Sequence, residues 1–128
     1  MREAFIAHLH DLFETIGPIS TRPMFGGHGI YLDELMVGVV FGETLYLKTD
    51  AQTRPQFEAA GGAPFVYRYR QRDGVMRAPL TLSYWSVPEA AMESAQAMRP
   101  WAQLAQAAAL RKPVNKLVKV PIKPRRDR

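Results

Sequence analysis

Phe5, Ile6, Leu9, Leu12, Phe13 and Ile16 recur at spacings of 1, 3, 3, 1 and 3. That pattern holds one face of a 3.6-residue period and predicts an amphipathic helix over residues 2–16. Gly17-Pro18 stops it. Residues 20–26 read as extended, with Pro23 marking an edge strand or a strand start. Gly26, Gly27 and Gly29 predict a turn or bulge ahead of Ile30-Tyr31-Leu32, and Asp33-Glu34 a polar turn after it. Leu35, Val37, Val39 and Phe41 alternate with Met36, Gly38 and Val40, giving a strand with little polar face. Gly42-Glu43 suits a two-residue hairpin into a strand at Leu45-Tyr46-Leu47-Lys48.

Asp50 is a candidate N-cap for a short helix carrying Phe57 and Ala60, closed by Gly61-Gly62, with Pro55 near its first turn. Residues 65–70 alternate as a strand and Asp73-Gly74 marks a turn. On the next strand Leu80, Leu82 and Tyr84 line one face, with Thr81, Ser83 and Trp85 opposite. Residues 88–111 are alanine-rich and helical by propensity, with Met98, Trp101, Leu104, Ala105 and Ala108 as the expected buried stripe. Pro100 predicts a kink or break near residues 96–100. The order reads α-β-β-β-α-β-β-α. Short turns imply antiparallel pairing, and helices over one sheet face make a two-layer α+β domain.

A chain of 128 residues, 47% hydrophobic, has the size and core of one domain. Charge divides it. Residues 111–128 hold eight basic residues against Asp127 alone, a net +7, while the preceding 110 residues hold nine basic against eleven acidic, a net −2. The division is therefore a domain at 1–111 and a basic, proline-containing tail at 112–128, expected to be solvated or docked as an extended segment on a sheet edge. No cysteine is present, which excludes disulfides, thiol nucleophiles and cysteine-ligated metal centres. With no secretory h-region and no bilayer-length apolar run, a cytoplasmic protein without a membrane segment is expected.

The candidate chemistry is thin. The cluster at Gly26–Gly29 lacks a following Lys-Ser/Thr and leads into a strand, so it reads as a structural turn rather than a phosphate loop. His28 has no carboxylate nearby except Asp33. His8 and His10 point away from each other on a helix and cannot share a metal. No serine or threonine sits in an elbow motif, and no carboxylate pair stands out. No enzyme, cofactor or metal site is expected. Tyr67, Arg68, Tyr69, Arg70 and Arg72 interleave aromatic and basic groups. With Lys116, Lys119, Lys123, Arg125 and Arg126 of the tail they make a candidate nucleic-acid footprint. The plainer reading turns these tyrosines into the core and leaves the arginines solvated. Trp85 is a candidate exposed interface anchor, unless helix 88–111 covers it.

The segments Arg22-Pro23-Met24-Phe25-Gly26-Gly27-His28-Gly29-Ile30-Tyr31-Leu32-Asp33, Leu45–Lys48, Gly62–Tyr67 and Ser83–Pro88, in this order, resemble the TfoX (Sxy) N-terminal domain family of bacterial competence regulators over residues 1–110. The resemblance implies an antiparallel sheet with helices, similar to secretion chaperones. It also implies a regulatory, non-catalytic role linked to expression of DNA-uptake genes. Arg22, Met24, Phe25, Gly26, Gly27, Gly29, Tyr31, Tyr84 and Pro88 match the family pattern and look like fold determinants. Full-length regulators of this kind carry a second, helical domain where this chain has its 17-residue tail. The expected partner is a protein, a second copy of the chain included. The alternative is accessory nucleic-acid binding through the tail and Arg68, Arg70 and Arg72.

Overall fold

The computed structural model describes residues 2–24, 26–66, 69–70, 76–77 and 80–111. Helix α1 (Arg2–Leu12) leads into β1 (Ile19–Met24), β2 (Gly27–Leu32), β3 (Leu35–Phe41) and β4 (Thr44–Lys48). Then come α2 (Arg54–Ala59), β5 (Pro64–Val66), β6 (Tyr69–Arg70), β7 (Met76–Arg77), β8 (Leu80–Ser86), a 3-10 turn at Glu89–Glu93 and α3 (Ala95–Leu110). Six strands form one antiparallel sheet in the order β1-β2-β3-β4-β8-β5, and β6-β7 form a separate two-stranded ribbon. The domain is α+β, as expected.

Four strands rather than three precede α2, because the glycine cluster is mostly strand. Only Gly26, at φ 85°, occupies the turn conformation; Gly27 and Gly29 lie inside β2 and pair with Met24 and Arg22. The expected strand over 65–70 is likewise split between β5 and β6. The two-residue hairpins at Asp33-Glu34 and Gly42-Glu43 are where the turn chemistry puts them. Asp33 and Glu34 both take positive φ, at 51° and 72°, the twist a tight β2–β3 connection requires.

The β2–β3 register shifts between Ile30, which faces Gly38, and Tyr31, which faces Met36. Val37 is the extra residue of a bulge. Without it the odd positions of β3 would share one face. With it Val37 joins the core, while Val39 and Phe41 turn to the other side, across from Tyr46 and Thr44.

The core lies between the sheet and the helices. Leu9, Leu12 and Phe13 meet Ile30, Leu32, Val37, Leu45 and Leu47, with Phe57 of α2 and Met98, Ala102, Ala105 and Ala109 of α3. Phe5 and Ile6 pack on its margin, as their helical spacing requires. So does Ile16, although α1 ends at Leu12, short of the expected residue 16, and Ile16 lies in the turn that follows. In α3 the alanines hold the buried positions, with Trp101 and Leu104 half-buried beside them. Small side chains let that helix approach β3 and β4 closely. Phe57 and Trp101 meet edge-to-face at 4.9 Å.

The helical stretch after Pro88 breaks at Ser94, ahead of the expected 96–100 window. Ser94 is fully extended (φ −160°, ψ 161°), and its side chain accepts a hydrogen bond from the Ala97 amide at 3.0 Å. It caps a new helix. Pro100 then falls in the second turn of α3, which continues to Leu110.

Candidate functional site

All the described helices deliver their buried side chains to one side of the sheet. The other side is built by strand alternation from Arg22 and Met24 on β1, Tyr31 on β2 and Met36, Val39 and Phe41 on β3. Tyr46 and Lys48 on β4 and Tyr84 on β8 complete it. Register fixes these positions to one face: Arg22 pairs with Gly29, Tyr31 with Met36, Val39 with Tyr46, and Lys48 with Tyr84. Among the described residues no aspartate or glutamate occupies a strand position on this face. Val39 is nearly fully buried yet stands outside the core cluster, so the face has an apolar floor of its own.

Two aromatic groupings divide it. Phe65 of β5 stacks on Phe41 at 4.7 Å and meets Tyr46 at 5.0 Å. The second grouping runs from Arg22, whose guanidinium lies 4.4 Å from the centre of the Tyr31 ring, to Lys48, whose ammonium lies 5.2 Å from the centre of the Tyr84 ring. A cation over an aromatic face is attracted by the ring's negative quadrupole. Burial pushes the Tyr84 phenol up to about 12, with a smaller contribution from Tyr31.

Glycine makes the grouping possible. A Cβ on Gly29 would stand 3.1 Å from both Met24 Sδ and Tyr31 Cε1 and 3.3 Å from Met36 Cε. The three side chains converge where that atom is missing. A Cβ on Gly27 would run into the carbonyl oxygen of Val40, a backbone group that cannot swing away. Thus Gly27 and Gly29, with the turn at Gly26, hold β2 where Met24, Tyr31 and Arg22 can assemble. Pro88 lies just past β8, and its carbonyl accepts the Ala91 amide at 2.9 Å to open the 3-10 turn.

Trp85 does not serve as an exposed anchor. It pairs with Leu47, faces the helices and is 7% exposed, so the covered arrangement is the one realised. The even-numbered Tyr84 takes the opposite face. For Arg70 the structure describes backbone only, as part of β6. Phe25, Arg68, Arg72 and the tail residues Lys116, Lys119, Lys123, Arg125 and Arg126 lie outside the described residues.

Among the described residues no group of three or more metal-binding side chains converges around the histidines. His8 Nε2 lies 2.8 Å from the Met92 carbonyl, tying α1 to the 3-10 turn. His28 Nδ1 is buried without a hydrogen-bond partner, on the core-side face between Pro23 and Val40. Asp50 does not cap α2 itself. It accepts the amides of Gln52 and Thr53 ahead of that helix, at 3.0 and 3.1 Å. It also takes both hydrogen bonds of the Arg111 guanidinium, at 2.7 and 3.1 Å. The Arg111 hydrogen bond is the main reason the Asp50 carboxyl is held down at about 2. No pattern in the sequence announces a pair 61 residues apart. The aromatic face was missed for a similar reason: its members come from six strands whose order only the fold reveals.

A family model described as TfoX N-terminal domain matches residues 11–109, from the end of α1 to the last turn of α3. A search among curated proteins finds no match. Among the described residues no helix is long and apolar enough to cross a membrane.

Proposed function

The chain belongs to the TfoX N-terminal domain family, and we propose that it is a non-enzymatic regulatory module that acts by holding a partner protein on the aromatic face of its sheet. The supporting observation is the asymmetry of that sheet. One face is closed by the described helices, and the other carries half-buried Met24, Tyr31, Met36, Phe41, Tyr46, Phe65 and Tyr84 beside two cations. Apolar and aromatic area gathered on one face is the usual composition of an interface core. On this reading the module works in the cytoplasm, and its regulatory target includes DNA-uptake genes.

Photo-crosslinking in cells tests the reading. Benzoylphenylalanine replaces Tyr46 on the aromatic face in one variant and Glu14, exposed beyond α1, in another. A discrete protein adduct from position 46 and none from position 14 is expected. Equal labelling at both positions, or adducts to nucleic acid alone, would overturn the reading. Unchanged DNA-uptake transcripts on deletion of the gene would remove the competence link and leave the binding module standing.

The second reading, nucleic-acid binding through the basic tail, draws on the net +7 charge of residues 111–128. It requires affinity that falls steeply with salt. It also requires that affinity to vanish when the tail lysines and arginines are replaced by glutamine.

A further inference from the structure

Arg22 is exposed, and its guanidinium touches the Tyr31 ring but no carboxylate among the described residues. The Tyr31 and Tyr84 hydroxyls make no hydrogen bond to a described residue. Tyr84, held to about 12, stays a neutral donor at physiological pH. Lys48, over the Tyr84 ring, adds a second positive charge to the same row. Beside the row, Met24 and Met36 meet over Gly29 as a soft, adaptable apolar patch. Arg22 and the tyrosine donors are thus gathered on a face on which the described strands place no acid beside Arg22.

Resting on the reading that this face holds a partner protein, we propose that the segment held is acidic and apolar. One of its carboxylates seats on Arg22 beside the tyrosine hydroxyls, and a neighbouring apolar side chain packs on Met24 and Met36. Stacking on Tyr31 pre-orients the guanidinium and leaves its N–H edges for a carboxylate, so little side-chain freedom is lost on binding. Single-stranded nucleic acid suits the face less well. Arg22 lies over Tyr31, Lys48 lies over Tyr84 and Phe41 stacks on Phe65, so one face of each of these rings is occupied before a base arrives. A second copy packed face to face would bring two Arg22 side chains together with no carboxylate from a described strand between them.

The test uses the full chain and three fluorescent probes. The first is a degenerate pool of 12-residue peptides alternating Asp or Glu with Leu or Phe. The second is the same pool with Lys in place of the acids, and the third is a dT12 oligonucleotide. Binding of the acidic pool alone is expected, with amide shift changes gathered at Arg22, Met24, Tyr31, Met36 and Tyr84. Arg22→Gln, at an exposed position that leaves the core intact, should weaken it roughly tenfold, the scale of one charge-assisted bidentate contact. Acidic-pool binding unchanged in Arg22→Gln means attraction to the basic tail and overturns the proposal. So does dT12 binding to the same residues more tightly than the acidic pool, or no binding by any probe. A protein adduct at position 46 in the crosslinking experiment, together with indifference to the acidic pool, would sink this inference alone. Loss of both would sink the partner reading with it.

Discussion

The two faces of the sheet are made by the same strands and solve different problems. On the helix side Ile30, Val37, Leu45 and Leu47 are at most 2% exposed and belong to one apolar cluster, so each contributes mainly by being removed from water. On the other side, above buried Val39, the side chains are mostly half-buried, aromatic or thioether, and interleaved with Arg22 and Lys48. Stability is concentrated on the first face. Substitutions should therefore separate the two: changes on the helix side lower stability, and changes on the aromatic side lower binding while leaving the fold.

The sharpest separation comes from two phenylalanines. Phe57→Ala empties a fully buried site against Trp101 and should cost about 3–5 kcal/mol in urea unfolding. Phe65→Ala removes a half-buried ring stacked on Phe41 and should cost roughly 1–2 kcal/mol, in keeping with its smaller buried area. Equal losses would mean that the aromatic face is a second core and not a surface.

Two glycines on one strand make the same contrast at the backbone. Gly27→Ala forces a Cβ against the Val40 carbonyl, so β2 must part from β3, and a loss of about 2–4 kcal/mol is expected. Gly29→Ala meets only the flexible ends of Met24, Tyr31 and Met36, which can yield by a few tenths of an ångström. It should cost under about 1 kcal/mol while moving Tyr31 and with it the Arg22 guanidinium. Thermal unfolding and acidic-peptide affinity measured on both variants should rank them in opposite orders.

The helix-side face was largely legible from sequence because local rules make it. A 3.6-residue period over Phe5–Ile16, a glycine at the Gly42 turn and an alanine-rich stretch before Leu110 each act within one element. The aromatic face was not, and Val37 shows why. One bulged residue inverts the pleat of β3, sending Val39 and Phe41 to a side that simple alternation does not assign them. Trp85 and Tyr84 were exchanged for a related reason. Both are large and amphipathic, and only the pairing of β8 with β4 decides which of them faces the helices. Ser94 supplied a capping signal that the proline at 100 overshadowed.

Tyr84 gives a pH-dependent version of the comparison. Its phenol is held up at about 12 in the folded protein, against 10.0 for the free group, chiefly by burial. A raised folded-state value stabilises fully below the unfolded pKa and loses that contribution as pH climbs through the folded one. Stability should therefore decline from about pH 10 towards pH 12, and Tyr84→Phe should flatten that decline in denaturation followed across the range. An unchanged slope would place the alkaline sensitivity elsewhere.

The smallest effect is expected where the two faces meet, at the Arg111–Asp50 pair that ties the end of α3 to the turn after β4. Both side chains are partly exposed, so water and salt screen the pair and its contribution is modest. Its signature is the pH dependence. Asp50 is lowered from 3.8 to about 2, foremost by the Arg111 hydrogen bond. The pair's contribution is thus present above pH 3.8 and lost as pH falls through about 2. Wild type and Arg111→Ala should differ slightly in melting temperature near neutral pH, and the gap should close on acidification. A gap that persists at the acid end would show that the arginine acts through its hydrocarbon stem against α3. A gap that closes leaves an ion pair, and added salt should then shrink it near neutral pH as well.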